Sequence, residues 1–279
     1  MTGATPLFRQ PRGVKFVDGK VFPAFPILNG SEGPGAAPVV RAVAMTLAVQ
    51  ALTSMALAVR RAADERAAMD ASSEEAVLLL HGAWMNRCVM AYLAHALRRK
   101  GFAAQALTYR TMRGTLEEHL ARMAKRITAL ESPRVHLVGH SLGGVIVLRY
   151  LQRKPDDRIR RAVLIGAPVA GCRAAADLAQ RAGGEFLLGK SLGVWREPVD
   201  VSLDPRFEVG VIAGTGALGL GRMVTRLPRP NDGVVCLDET RFPAMRDHLA
   251  LPLGHTLMLV SPRVARETAA FLKTGGFLR

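Results

Sequence analysis

Short apolar runs alternate along this chain with segments whose apolar residues recur every three or four positions. Runs of the first kind occupy residues 76–80, 159–165 and 207–213, and they suit strands that are buried on both faces. Segments of the second kind occupy residues 86–100 and 115–130, and they predict amphipathic helices. Because strands that alternate with helices form parallel sheets, the pattern predicts an α/β fold with a mainly parallel sheet and helices on both faces.

Boundary signals support these elements. Thr115 and Glu118 have the spacing of a capping box at the start of one helix, and Gly101 follows the last turn of another. A short strand at residues 248–253 and a helix at residues 262–273 close the pattern. The regular alternation therefore continues as far as residue 273.

The N-terminal part of the chain predicts a different organisation. Residues 1–38 are rich in proline and glycine and sustain no helical or strand period, which predicts an extended or disordered leader. Residues 39–70 form an alanine-rich apolar segment, for which we predict a surface helix. The alternatives are a signal anchor, or a start codon that has been assigned too far upstream. We expect the main domain at residues 71–279. Within it, residues 170–206 lose the rhythm and predict a small cap-like insertion.

Charge and cysteine content narrow the class of protein. The chain of 279 residues is 49% apolar and carries a net charge of +15, but aromatic residues make up only 5%. Its basic residues are spread along the sequence, so we expect no nucleic-acid partner. Three widely spaced cysteines, Cys88, Cys172 and Cys236, indicate neither a disulfide framework nor a zinc site. We therefore expect a cytoplasmic protein that associates weakly with membrane surfaces through residues 39–59, and the oligomeric state stays open.

A glycine-rich stretch has the spacing of a cofactor-binding motif but lacks the sustained helix that should follow it. Residues 214–219 match the spacing G-x-G-x-x-G, which in dinucleotide-binding folds opens a sustained helix. Here Pro228 and Pro230 follow within a dozen residues, with Gly221 before them. We interpret the stretch as a loop and expect no organic cofactor and no metal.

The central candidate for chemistry is a strand–turn–helix at residues 135–150. Its turn reads Gly139-x-Ser141-x-Gly143, the spacing that holds a serine hydroxyl exposed above the edge of a sheet. Glycines are needed on either side because the incoming strand and the outgoing helix approach closely. The turn therefore predicts that Ser141 is a nucleophile.

An acid and a base follow Ser141 in the chain. Asp232 lies in an Asn-Asp-Gly turn, and His255 follows the last predicted strand. The chemistry needs both, since an imidazole must accept the serine proton and a buried carboxylate must orient the imidazole. If Asp232 only forms the turn, Asp238 or Glu239 is the alternative acid. His248 is the alternative base.

Backbone N–H groups near the nucleophile are expected to form an oxyanion hole. The N–H of Leu142 directly follows Ser141, and the N–H of Ala83 follows the strand end at His81-Gly82. We expect His81 and Gly82 to shape the loop that carries the Ala83 N–H, and His140 to pack beside the nucleophile.

These motifs together resemble the bacterial esterase/lipase (triacylglycerol lipase-like) branch of the α/β-hydrolases. The resemblance rests on a set of short stretches: Gly139 to Gly144, His81-Gly82, Gly166-Ala167-Pro168 with Gly171, Asn231 to Val235, and His255. It implies the α/β-hydrolase fold and a serine hydrolase that cleaves small-molecule or lipid carboxylic esters through an acyl-enzyme. An acyltransferase or thioesterase with the same acyl-enzyme is the alternative within enzymes, and a catalytically silent binding protein is the alternative outside them.

Overall fold

The computed structural model describes residues 74–153, 156–196, 199–200, 202–216 and 227–279, together with two short N-terminal strands. The apolar segment at residues 39–70 lies outside the described residues, so its predicted helix and its contact with membrane surfaces stay predictions. In the part of the chain that is described, no helix is both long enough and apolar enough to cross a bilayer.

Among the described residues, nine strands form two sheets. They are β1 (Val14–Val17), β2 (Lys20–Pro23), β3 (Glu75–Leu80), β4 (Ala103–Ala106), β5 (Arg134–His140), β6 (Ile159–Ile165), β7 (Val199–Asp200), β8 (Glu208–Gly214) and β9 (Asp247–Leu251). The larger sheet has six strands in the order β4-β3-β5-β6-β8-β9, and all its neighbours pair in parallel. All six carboxyl ends therefore lie along one edge, with β5 near the middle.

Helices cover both faces of this sheet. They are α1 (Ala91–Arg98), α2 (Leu116–Thr128), α3 (Leu142–Leu151), α4 (Arg173–Ala179), α5 (Gly184–Leu188), α6 (Ser191–Arg196) and α7 (Pro262–Thr274). One apolar cluster joins α2 and α3 to the first face, and a second cluster joins α1 and α7 to the other. The α/β fold predicted from the sequence is confirmed, with six parallel strands rather than a mixed sheet.

Local signals set the helix boundaries near their predicted positions. The side chain of Thr115 accepts from the N–H of Glu118, whose carboxylate accepts from the N–H of Thr115 at 2.9 Å, which is a complete capping box. The helix predicted from residue 86 instead begins with the 3₁₀ turn Arg87–Met90, capped by the side chain of Asn86. Since α3 is buried over all ten residues, the helix that follows Ser141 cannot shift without disturbing the core.

Two short strands lie within the predicted leader. Strands β1 and β2 pair antiparallel with a register that sets Val17 opposite Lys20, and β2 also pairs with β7. The sequence shows no sustained strand period in residues 1–38, so this pair of strands was not predicted from it. The missed signal is Asp18-Gly19, a dipeptide that favours two-residue hairpin loops. The rest of residues 1–38 lies outside the described residues.

The insertion at residues 170–206 separates β6 from β8 and contains α4, α5, α6 and β7. Its apolar side chains divide into two groups. Leu188, Leu192 and Val194 are buried within the cluster that includes α2 and α3, whereas Phe186 is 89% exposed. The described part of the insertion therefore rests on the main domain and exposes the ring of Phe186 to solvent.

Candidate active site

Ser141 lies at the junction of β5 and α3 in a strained backbone conformation. Its φ of 53° and ψ of −124° are rarely adopted by a residue with a side chain, at a cost of about 1–3 kcal/mol. The surrounding backbone holds this turn, because the N–H of Ser141 donates to the carbonyl of Ile165 at 2.9 Å. The sharp turn predicted from the sequence is thus present in the structure.

Two glycines make the turn sterically feasible. A Cβ on Gly139 would lie 2.5 Å from the carbonyl oxygen of Gly143, and a Cβ on Gly143 would lie 2.6 Å from the carbonyl oxygens of Leu80 and His81. Both distances are shorter than any ordinary contact, so neither position accepts a side chain. This close packing brings the end of β3 directly beside the start of α3.

Asp232 and His255 form a buried hydrogen-bonded pair. The imidazole Nδ1 of His255 lies 2.7 Å from Oδ2 of Asp232, and their side chains are 8% and 1% exposed. The second carboxylate oxygen, Oδ1, accepts from the N–H groups of Val234 at 2.9 Å and Val235 at 2.7 Å. Because a carboxylate only accepts, this geometry assigns the ring proton to Nδ1 and leaves Nε2 as a proton acceptor.

Small residues at the strand ends make room for this pair. A Cβ on Gly166, directly after β6, would lie 3.2 Å from Nδ1 of His255 and 3.3 Å from Oδ2 of Asp232. A Cβ on Gly214, the last residue of β8, would lie 2.6 Å from Cβ of Asp232. The sequence pattern indicated no role for Gly214 in the site, although a glycine that ends a buried strand is the signal that could have identified one.

His140 precedes Ser141 in the chain and packs against the predicted base, His255. The ring of His140 packs at 4.6 Å between centroids from the ring of His255, and its Nε2 donates to the carbonyl of His255 at 3.1 Å. A Cβ on Gly82 would lie 3.1 Å from Nδ1 of His140 and 3.1 Å from Cβ of Ser141. The structure therefore gathers Ser141, His255, His140 and Gly82 at the carboxyl edge of the sheet.

Both predicted oxyanion donors belong to residues that neighbour the nucleophile or its contact Gly82 in the chain. Leu142 is the first residue of α3, so its N–H has no carbonyl partner within the helix. Ala83 follows Gly82, which is the residue packed against Ser141. His81 supports this loop, since its Nδ1 lies 3.0 Å from the carbonyl oxygen of Gly82 and its ring stacks on Tyr109 at 4.4 Å.

The alternative acids and base are engaged elsewhere. Both carboxylate oxygens of Asp238 accept from the guanidinium of Arg173, at 2.8 and 2.9 Å. The carboxylate of Glu239 accepts from the N–H groups of Arg173 and Cys236 at 2.6 and 2.7 Å. The Nε2 of His248 lies 2.9 Å from the hydroxyl of Thr240. The geometry thus favours Asp232 and His255 over these alternatives.

Buried histidines make the stability of the fold depend on pH. Burial lowers the pKa of His81 and of His248 to about 4, and it lowers the pKa of His140 well below its ordinary value. The unfolded chain binds these protons near pH 6.5, so it gains protons before the folded chain does. We expect the free energy of unfolding to fall between about pH 6.5 and pH 4, by at most about 1.4 kcal/mol per pH unit for His81.

Urea unfolding at several pH values tests this expectation. The variant His81→Phe keeps an aromatic ring beside Tyr109 but cannot titrate, so the dependence on pH should become shallower. A wild-type free energy of unfolding that is constant from pH 7 to pH 4.5 would contradict the expectation.

A cleft of about 500 Å³ opens at the amino ends of the strands, on the edge away from Ser141. Its arginines meet carboxylates: Arg134 lies 3.3 Å from Glu75, and Arg161 pairs with Glu208. We interpret this surface as an ion-pair network of the lower sheet edge. Among the described residues, no three histidine, cysteine or acidic side chains lie close enough together to hold a metal ion.

A parallel sheet, a serine at a strained strand–helix turn and a carboxylate–histidine pair at the same edge define the α/β-hydrolase class. The sequence model of the alpha/beta hydrolase family matches residues 77–272. The chain belongs to that family. No curated protein matches it closely enough to count as a relative.

Solved structures agree on the fold. The metagenomic carboxyl esterase MGS0156 is similar with a TM-score of 0.54 and 18% identity, over 72% of this chain and 75% of that one. The pyrethroid hydrolase PytH is similar with a TM-score of 0.54 and 16% identity, over 72% of this chain and 98% of that one. At these identities the likeness concerns the fold alone.

Proposed function

We propose that this protein is a serine hydrolase that cleaves carboxylic esters through an acyl-enzyme. The observation that carries the proposal is the buried hydrogen bond between His255 and Asp232, at the sheet edge where Ser141 is held in a strained turn. A carboxylate in this position is suited to orient an imidazole and to stabilise the imidazolium that forms during catalysis. The esterase and hydrolase names of the two similar structures point in the same direction.

The proposed mechanism assigns one step to each group. Nε2 of His255 takes the proton from the hydroxyl of Ser141 as Oγ attacks the ester carbonyl. The negative charge on the carbonyl oxygen is stabilised by the N–H groups of Leu142 and Ala83. His255 then protonates the departing alcohol, and a water molecule activated by the same imidazole hydrolyses the acyl group from Ser141.

An active-site label combined with an ester assay tests the proposal. A fluorophosphonate should attach covalently to Ser141, located by mass spectrometry of the digested protein, and it should abolish hydrolysis of p-nitrophenyl esters in step with labelling. Labelling at another serine, or undiminished hydrolysis after complete labelling of Ser141, would contradict the mechanism. Transfer of the acyl group to added alcohols in preference to water would instead identify an acyltransferase.

The insertion suggests the kind of acyl group that is accepted. Its buried residues Leu188, Leu192 and Val194 and the half-buried Leu187 give the α4–α6 region an apolar underside. Leu187 accepts a hydrogen bond from the indole of Trp84, which follows Ala83, so this region lies beside the loop of the proposed oxyanion hole. An apolar surface there would favour acyl chains over acetyl groups, and each buried methylene contributes about 0.8 kcal/mol. We therefore expect medium-chain esters to exceed acetate esters by about tenfold or more in kcat/KM.

A series of p-nitrophenyl esters from acetate to palmitate measures this preference. Repeating the assay with added micelles or mixed lipid surfaces distinguishes hydrolysis of dissolved esters from hydrolysis of lipid esters at an interface. A value of kcat/KM that is highest for acetate and falls steadily with chain length would show that the buried leucines serve only as core. The protein would then be a hydrolase of small esters.

A further inference from the structure

Trp84 connects the loop of a proposed oxyanion donor to the inserted helices. It directly follows Ala83 in the chain, and its backbone has a φ of 56°, which is uncommon for any residue with a side chain. Its indole Nε1–H donates to the carbonyl of Leu187 at 2.9 Å, across 103 positions of sequence. A strained residue beside the site is therefore held by a partner in the insertion.

The acceptor lies at the end of a short helix. Leu187 belongs to the last turn of α5, where carbonyls lack N–H partners within the helix. Gly183 and Gly189 flank α5 with φ values of 76° and 52°. The indole N–H thus gives a partner to a carbonyl at the C-terminal end of α5, a helix flanked by two glycines with positive φ.

A second contact holds the C-terminal end of α5. A Cβ on Gly189 would collide with the carbonyl oxygen of Met112, and the N–H of Lys190 donates to that same oxygen at 3.0 Å. Met112 lies in the loop between β4 and α2. Helix α5 is therefore fixed at two points, the indole of Trp84 and the backbone of Met112.

We propose that the hydrogen bond from Trp84 to Leu187 couples the seating of α5 to the orientation of the Ala83 N–H. Trp84 is then a positioning residue that acts through Ala83 rather than on the substrate. The inference rests on the proposed function, because it concerns the same oxyanion hole. Its consequence is that contacts between α5 and the acyl chain raise kcat in addition to lowering KM.

The variant Trp84→Phe removes the N–H donor and keeps an aromatic ring. We expect kcat for a medium-chain ester to fall on the order of tenfold while KM changes less than about twofold, since a misaligned donor weakens binding of the transition state. Affinity for an alkyl boronic acid, which forms a tetrahedral adduct with the serine, should fall by a similar factor. Rates are expressed per serine labelled by fluorophosphonate, so that loss of folded protein does not enter.

A double-mutant cycle tests the coupling itself. Gly189→Ala forces a Cβ against the carbonyl of Met112 and unseats α5 from its second anchor. If the indole acts only through a seated helix, kcat of Trp84→Phe/Gly189→Ala should equal that of Gly189→Ala alone. The matched control is Gly101→Ala, which also introduces a side chain at a positive φ but where a Cβ meets nothing within 4 Å. It should leave kcat unchanged.

The outcomes separate this inference from the proposed function. Multiplicative losses in the double variant, or an unchanged kcat in Trp84→Phe, would overturn the coupling and leave the ester hydrolase intact. A wild-type protein that neither hydrolyses esters nor reacts with fluorophosphonate would overturn the proposed function, and the inference with it.

Discussion

Replacing Ser141 with alanine should lower the rate of ester hydrolysis on the order of 10⁵-fold. The substitution removes the oxygen that forms the acyl-enzyme but leaves the oxyanion donors and the binding surface in place. The backbone at this position is strained with either side chain, so the fold should be retained. Circular dichroism and thermal melting should therefore match those of the wild type while turnover is lost.

Two further substitutions make this test specific. Ser202→Ala changes an exposed serine outside the site and should keep full activity. Ser141→Gly should be as inactive as Ser141→Ala but should melt at a higher temperature, because glycine adopts a φ of 53° without steric strain. Retention of most hydrolysis by Ser141→Ala would remove the serine mechanism.

The acid and base should show losses nearly as large. His255→Ala deletes the proton acceptor, and Asp232→Asn substitutes an amide that can donate to Nδ1 and so favours the wrong ring tautomer. Each should lower kcat on the order of 10³-fold or more. His248→Ala is the matched control, because that imidazole is hydrogen-bonded to Thr240 rather than to Asp232.

Combining two of these substitutions tests whether Ser141 and His255 act as a single catalytic unit. Groups that act together are strongly non-additive, so Ser141→Ala/His255→Ala should be about as inactive as Ser141→Ala alone. If His248→Ala proved to be the inactive variant while His255→Ala kept its rate, the base would be misassigned. Losses that multiply in the double variant would indicate two independent roles.

Elements whose signals are local could be predicted closely from the sequence. The strand at residues 159–165 and the capping box of Thr115 and Glu118 both occur where the pattern set them, since apolar runs and helix caps depend on adjacent residues. The hairpin of β1 and β2 was missed because the proline- and glycine-rich composition around it outweighed the Asp18-Gly19 signal. The local Asp18-Gly19 signal was therefore the better guide to these two strands than average composition.

The sequence by itself determined the turn at Ser141, because Gly139, Gly143 and the apolar strand and helix around them leave the backbone few other conformations. It could not select the partner of His255 from Asp232, Asp238 and Glu239, because that choice depends on which carboxylate meets the ring in space. Tertiary packing decided it by turning Asp238 and Glu239 toward Arg173 and leaving Asp232 against Nδ1. The contact of Trp84 with Leu187 likewise exists only in the folded chain, since no local pattern links residues so distant in sequence.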